Sequence, residues 1–283
     1  MAKSFGRTFG QDLMRGEHVV GGGMHKAIPG GATGKNSAYM FRQPEGNFAV
    51  GEEAQVTGSG TSIFDPVLCE MAYKWFCPPG GKVLDPFAGG SVRGIVAGVL
   101  GRSYHGIDLR AEQVAENRRQ IAAIAPEANV TWETGNSLVA LANLSGPFDF
   151  VMSCPPYGSL ERYSDDPSDL SAMTRADFDA AYAGIIRLSC ALLAPDSFAC
   201  FVVGNYRLAN GFYHDLVGET VRAFESAGAG FYNDCILVTA AGSLPIRAGA
   251  QFTASRKLGK THQNVLVFCK GNPKKATAKC EAL

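Results

Sequence analysis

Apolar positions along this chain recur at two spacings, and the switches between them are sharp. Residues 1 to about 60 follow neither spacing. They are rich in glycine, with Gly21-Gly22-Gly23, Gly30-Gly31 and Thr57-Gly58-Ser59-Gly60. Loops with little regular structure are expected there. From Ser62 the pattern sharpens. Pro66–Phe76 has helical spacing and stops at the breaker cluster Pro78-Pro79-Gly80-Gly81. Strand and helix patterns then alternate. Lys82–Phe87 predicts a buried strand, Ser91–Leu100 a helix, Ser103–Leu109 a second strand and Ala111–Ile124 another helix. Val130–Thr134 and Phe148–Ser153 predict strands three and four. Arg175–Leu193 predicts a long amphipathic helix stopped by Pro195-Asp196, Phe198–Val203 a fifth strand, and Tyr213–Ala227 a further helix. Cys235–Thr239 and Asn264–Cys269 predict two last strands, joined by a long loop without a helix. Regular alternation argues for a parallel sheet with helices on both faces. The final pair argues for an antiparallel hairpin at one edge. No internal repeat or low-complexity block interrupts the series.

Composition narrows the class. The chain has 283 residues, 46% of them apolar, and its 26 basic and 26 acidic side chains cancel. That length suits one large domain, or one domain with an appended piece, able to bury most of its surface without staples. The expected division is a weakly structured segment 1–60, a main domain 61–271 and a basic tail 272–283. A collagen, a disulfide mini-protein and an acidic disordered chain are excluded. The longest apolar stretches fall far short of a membrane span, and no signal peptide is apparent, so a cytoplasmic protein without membrane contact is expected. None of the eight cysteines forms a CxxC pair, so no metal site is expected. Zero net charge argues against a strongly basic nucleic-acid binder, but the charge is uneven. Residues 241–283 hold eight Lys/Arg and one acidic side chain, whereas residues 159–179 hold six Asp/Glu and two Arg.

Three segments carry candidate chemistry. In Val83-Leu84-Asp85-Pro86-Phe87-Ala88-Gly89-Gly90-Ser91 an apolar strand runs into glycines and then a helix. Glycines let a backbone approach a ligand there, and the helix start offers free N–H groups. No Gly-Lys-Ser/Thr follows, so this is not a phosphate-binding P-loop. A carboxylate at Asp85 would repel a diphosphate and favour a ligand carrying a cationic group. Asp108 ends the next strand, 23 residues later, where an acid commonly holds ribose hydroxyls; it would equally serve the start of the helix at Ala111. Finally, Cys154-Pro155-Pro156-Tyr157 follows an inner strand. Two prolines fix the backbone, and the aromatic ring beside them is able to stack on a planar group; a plain strand terminator reads the same way.

These segments resemble the S-adenosylmethionine-dependent DNA amino-methyltransferases, most of all those of phages and prophages. Asp85-Pro86-Phe87-Ala88-Gly89-Gly90-Ser91 is similar to that family's cofactor loop, Asp-Pro-Phe-x-Gly-x-Gly. Cys154-Pro155-Pro156-Tyr157 resembles its catalytic tetrapeptide, (Asp/Asn/Ser)-Pro-Pro-(Tyr/Phe/Trp). Phe64-Asp65-Pro66 resembles the segment supporting the methionine end of the cofactor. Thr134-Gly135-Asn136-Ser137 is similar to the turn beside the adenine. Arg256 with His262-Gln263-Asn264-Val265-Leu266-Val267-Phe268 resembles the last strand. The resemblance spans roughly residues 62–271. It implies a Rossmann-like methyltransferase fold, with a mostly parallel seven-stranded sheet, and S-adenosylmethionine as cofactor. It implies that Phe64, Asp65, Pro66, Asp85, Pro86, Phe87, Ala88, Gly89 and Ser91 cradle the methionine and sulfonium side. Asp108 and Leu109 would meet the ribose, and Asn136 and Ser137 the adenine. Cys154, Pro155, Pro156 and Tyr157 would hold a base flipped out of DNA, with carbonyls near Pro155 accepting from its amine.

This chain departs from the family in three ways. Cys154 stands where Asp, Asn or Ser is usual, and a thiol is a weak acceptor. Ser is nearest in size and accompanies N4-cytosine targets, which favours cytosine over adenine. Gly90-Ser91 replaces the usual Ser-Gly. No long insertion serves target recognition, so residues 1–60, the 158–175 segment, a homodimer partner or a separate recognition partner would supply it. Arg247, Arg256, Lys257 and Lys260 lie between the last strands and are expected to contact DNA phosphates; a solvated loop explains them equally. An RNA or protein-glutamine N-methyltransferase and a catalytically weak cofactor-binding subunit remain open at this point. Carbon methylation through a Cys154 nucleophile is disfavoured, because enzymes of that kind set their cysteine in different local sequences.

Overall fold

A computed structural model describes residues 64–158, 162–239 and 244–282. The expected N-terminal segment 1–60 lies outside them, as does Glu161 of the acidic stretch.

Alternating apolar runs build one seven-stranded sheet. Its strands, in chain order, are β1 (Lys82–Asp85), β2 (Ser103–Asp108), β3 (Val130–Thr134), β4 (Phe148–Ser153), β5 (Leu193–Val203), β8 (Ala229–Val238) and β9 (His262–Lys270). They lie in the order β3-β2-β1-β4-β5-β9-β8. Five are parallel, and β9 runs antiparallel between β5 and β8. The expected edge hairpin is therefore present. Along β5 the two periods separate cleanly. Phe198, Cys200 and Val202 join one core cluster with α1 (Pro66–Phe76) and α2 (Val92–Val99). Ala199, Phe201 and Val203 join the other, with α5 (Arg175–Leu192) and α6 (Leu216–Ser226). Burial on both faces explains why the inner strands read as continuous apolar runs.

The remaining elements are α3 (Ala111–Ile124), α4 (Ser137–Asn143), the short strands β6 (Tyr206–Arg207) and β7 (Tyr213–His214), α7 (Leu244–Ser255) and α8 (Pro273–Ala278). Several differ from the sequence expectation. Tyr213 and His214 are not helical; they pair back on β6 as a small antiparallel hairpin. The turn holds Asn210-Gly211, and Gly211 takes φ +89°, a conformation glycine adopts freely. Pro195-Asp196 lies inside β5 rather than ahead of it, where the β4–β5 register shifts and Asp196 adopts φ +54°. The loop between the last two strands contains α7, and none of its residues is buried. A solvent-exposed helix leaves no clear apolar stripe to read. Segment 272–283 carries α8, capped by Asn272 and anchored by buried Ala276.

The strand order reverses between β1 and β4. Open parallel sheets place ligands beyond the carboxyl ends of the strands flanking such a switch. The cofactor-loop segment leaves β1 there, and the Pro-Pro segment leaves β4.

Candidate active site

Asp85 ends β1 and is completely buried. Its Oδ2 accepts from Arg93 Nε (2.6 Å) and Tyr104 Oη (2.7 Å). Its Oδ1 accepts from Ser153 Oγ and from the Phe87 amide (3.2 Å). A carboxylate offers about four acceptor positions, and all are taken. Asp85 therefore does not present its charge to a cationic ligand, which corrects the sequence expectation. It pins the loop instead. Arg93 completes that pin, donating to the carbonyls of Phe87 (2.7 Å) and Ala88 (2.9 Å) and lying 4.7 Å over the Phe64 ring. Burial, the largest single influence, pulls the pKa of Arg93 down, but the Asp85 carboxylate together with Tyr104 and Cys154 makes the net shift upward. Asp65 is exposed; its Oδ1 caps α1 by accepting from Val67 (2.8 Å) and Leu68 (3.4 Å), with Pro66 opening the helix.

The loop then passes under β2. The Ala88 amide donates to Ile107 O (2.9 Å) and the Gly89 amide to Asp108 Oδ2 (2.9 Å). Asp108 Oδ1 accepts from the Arg110 amide (2.9 Å). Each Asp108 oxygen thus keeps an acceptor position for a hydroxyl. Burial raises the Asp108 pKa above its usual range, opposed by the Arg110 amide and guanidinium. Leu109 beside it is half-buried. Gly89 adopts φ +51°, and a β-carbon on Gly89 or Gly90 would meet nothing within 4 Å among the described residues. Among those residues the loop therefore borders open space. Ser91 is buried and donates to Gln120 Oε1, so its hydroxyl serves α3. Asn136 Oδ1 caps α4 through Leu138 N (2.9 Å), and Ser137 Oγ donates to Pro86 O (2.6 Å). Ser137 thereby ties the third strand's turn to the first loop.

At the exit of β4, Ser153 is buried and accepts from the Phe87 amide while donating to Asp85. One hydroxyl thereby joins the two chemistry-bearing segments. Cys154 and Pro156 are half-buried, and Pro155 is buried. Tyr157 Oη accepts from Gln263 Nε2 (2.6 Å), and its ring meets Tyr206 edge-on at 6.1 Å. Burial pushes the Tyr157 phenol well up, with Cys154 adding to the shift. Gly158 follows at φ +52°; a β-carbon there would lie 2.3 Å from Tyr206 Oη. Tyr206 thus backs the turn.

The four basic candidates differ in setting. Arg256 is exposed, 5.0 Å over the Phe252 ring, and Lys257 is half-buried. Arg247 is half-buried on α7, and its Nε has no hydrogen-bond partner among the described residues. Lys260 turns inward and donates to Asn205 O (3.1 Å); burial lowers its pKa. Away from the loops, ligand atoms of Asp179, His214 and Glu219 lie within 4.8 Å of one another. His214 Nε2 stands 2.6 Å from Glu219 Oε2, a hydrogen-bonded spacing, and Arg175 bridges both acids at 3.0 and 2.6 Å.

Sequence reasoning missed Arg93, Tyr104, Ser153 and Asn117, whose Nδ2 donates to Gly89 O (2.7 Å). Arg93 left one signal: a lone charge in the otherwise apolar helix VRGIVAGV calls for a buried partner.

No protein-family model matches the chain, and no curated protein is significantly similar in sequence. Solved structures are similar in shape. TrmN from Thermus thermophilus matches 75% of this chain at 16% identity, with a TM-score of 0.50. That match takes in 51% of the TrmN chain, about half its length. Weaker likenesses include magnesium protoporphyrin IX methyltransferase from Synechocystis PCC 6803 with bound SAM (14% identity, TM-score 0.43, 68% of this chain and 71% of that). Another is a putative RNA methyltransferase from Pyrococcus horikoshii (15%, 0.47, 73% and 83%). With the strand order above, the TrmN match gives this chain the Rossmann-like methyltransferase fold.

Proposed function

We propose that this chain transfers a methyl group from S-adenosylmethionine to the exocyclic amine of a base flipped out of DNA, with N4 of cytosine favoured over N6 of adenine. One observation carries the reading. Ser153 Oγ bonds both Asp85 and the Phe87 amide, so Cys154–Tyr157 leaves β4 directly beside the loop of β1. The two segments that resemble a cofactor loop and a catalytic tetrapeptide therefore lie side by side at the carboxyl ends of paired strands.

The residues fit the cofactor. Open space over Gly89-Gly90 admits it, and Asp108 offers two carboxylate acceptors for ribose hydroxyls. When bound, S-adenosylmethionine supplies an electrophilic methyl group. The protein's part is positioning. Asp85 and Arg93 hold Phe87 and Ala88 in place through their backbone groups. Pro155 and Pro156 fix the β4 exit so that a carbonyl there accepts from the target amine. That contact directs the nitrogen lone pair toward the methyl carbon. Tyr157, held by Gln263, stacks on the base. Cys154 adds little as an acceptor, so the backbone carbonyl is the main orienting group. The proton released by the nitrogen passes to solvent. Arg247, Arg256 and Lys257 would contact the phosphates of the duplex, and Lys260 holds the strand junction at Asn205.

Nucleoside mass spectrometry tests the reading. The protein is incubated with S-adenosylmethionine and unmethylated DNA, which is then digested. N4-methylcytosine is the expected product, and N6-methyladenine would move the target while keeping the class. Cofactor binding by calorimetry without any modified deoxynucleoside would overturn the DNA assignment, and the same digestion run on RNA would then locate the substrate.

A further inference from the structure

We infer that the β6–β7 hairpin is a wedge that opens duplex DNA, with Phe212 filling the place of the flipped base; this rests on the DNA reading above.

Phe212 is 75% exposed, yet it sits on a rigid support. Leu208 N donates to Phe212 O (2.8 Å), Gly211 N to Leu208 O (2.9 Å), and the Phe212 amide to Asn210 Oδ1 (3.1 Å). Arg207 locks the tip, donating to Gly211 O (2.9 Å) while lying 4.1 Å over the Tyr213 ring. The base is equally fixed. Tyr206 stacks on His214 at 4.8 Å, and His214 bonds Glu219. An apolar ring displayed on a braced turn has no fold of its own to serve.

Its direction gives the role. Tyr206 pairs with His214 and Arg207 with Tyr213. Side chains alternate between faces, so Tyr206, Leu208, Phe212 and His214 share one face. Phe212 therefore stands one same-face step further out than the Tyr206–His214 pair, about 7 Å along the strand, and Tyr206 is the ring that meets Tyr157. Lys257 flanks the tip: a β-carbon on Gly211 would lie 3.4 Å from its Nζ. Arg207 and Lys257 thus both set positive charge at Gly211, next to an apolar ring. That combination suits a duplex, with phosphates on the cations and the ring inserted between base steps. Extruding a base leaves a gap in the stack, and a filled gap holds the open state.

The test uses the full chain with S-adenosylmethionine and bacterial genomic DNA, as duplex or heat-denatured, with methylated nucleosides quantified by mass spectrometry. Wild type methylates both forms. Phe212→Ala lowers duplex methylation by roughly tenfold or more and leaves the denatured strand within about twofold, because only the duplex requires opening. Phe212→Trp keeps duplex activity. Thermal melting of Phe212→Ala matches wild type, since the ring is exposed. Lys257→Ala weakens both substrates alike, as a phosphate contact should. Equal loss of Phe212→Ala on both forms, or no loss on duplex, overturns the wedge. A wild type active only on denatured DNA overturns it too. A wild type inactive on either form overturns the DNA reading itself, and shows this before any variant is made.

Discussion

Arg93 carries more of this site than any residue the motifs named. It is buried, its charge is matched among the described residues by Asp85 alone, and three further groups depend on it. Removing one partner of a buried pair leaves the other charge without compensation. Arg93→Ala should lower the unfolding free energy by about 3–5 kcal/mol in urea titration. Tyr157 behaves differently. Tyr157→Phe loses only the Gln263 bond and should keep most methyl transfer, whereas Tyr157→Ala should abolish transfer with cofactor binding intact by calorimetry. A Tyr157→Ala protein that still methylates DNA would count against stacking as its role. Asp108 sets a pH limit. Its pKa is raised, so the folded protein takes up that proton at higher pH than the unfolded chain does. Its stabilising contribution is complete below the ordinary carboxylate range and is lost as pH rises through the raised value. Affinity for a ribose runs the opposite way, because the ionised form is the better acceptor. Calorimetry at stepped pH should show cofactor affinity falling on acidification from above the usual aspartate range, and Asp108→Asn should remove that acid limb.

Among the elements, α2 is tightly placed against its neighbours. A β-carbon on Gly94 would lie 2.4 Å from Trp132 on β3 and 3.0 Å from Tyr104. Gly94→Ala should therefore destabilise by about 1–3 kcal/mol and shift Tyr104 off Asp85. A variant of wild-type stability would mean the helix slides without harm. The elements legible in the sequence were those with strong periods. Pro66–Phe76, Ala111–Ile124, Val130–Thr134 and Phe148–Ser153 appear with the boundaries their patterns predict. The short α4 goes unpredicted beyond the turn at its start, since seven residues cannot display a period. The β6–β7 hairpin was hidden because Tyr213 and His214 fit the spacing of the helix that follows. Its Asn210-Gly211 pair was the available signal.

At the scale of the whole molecule, zero net charge conceals a divided surface. The basic residues of segment 241–283 lie on and around α7, β9 and α8, while the acids of residues 162–179 lie ahead of α5 and in its first turns. If Arg256 and Lys257 each neutralise a phosphate, DNA affinity should fall with salt, and changing both to alanine should reduce the log–log slope by about 1.8. An unchanged slope would remove them from the interface. The two candidate segments were legible as motifs following predicted strands, and the strand order sets both at the β1–β4 switch. What holds the site together was not legible. Ser153, Tyr104 and Arg93 meet Asp85 from three different elements, and no local pattern encodes such a meeting.

The saturation of Asp85 has a kinetic consequence. A loop whose anchoring carboxylate has no acceptor left cannot wait for a ligand to shape it. It is already in the receiving geometry when the encounter occurs. Rapid mixing with S-adenosylmethionine should then give a single phase whose observed rate climbs linearly with concentration. A plateau would betray a slow rearrangement that the buried network does not allow.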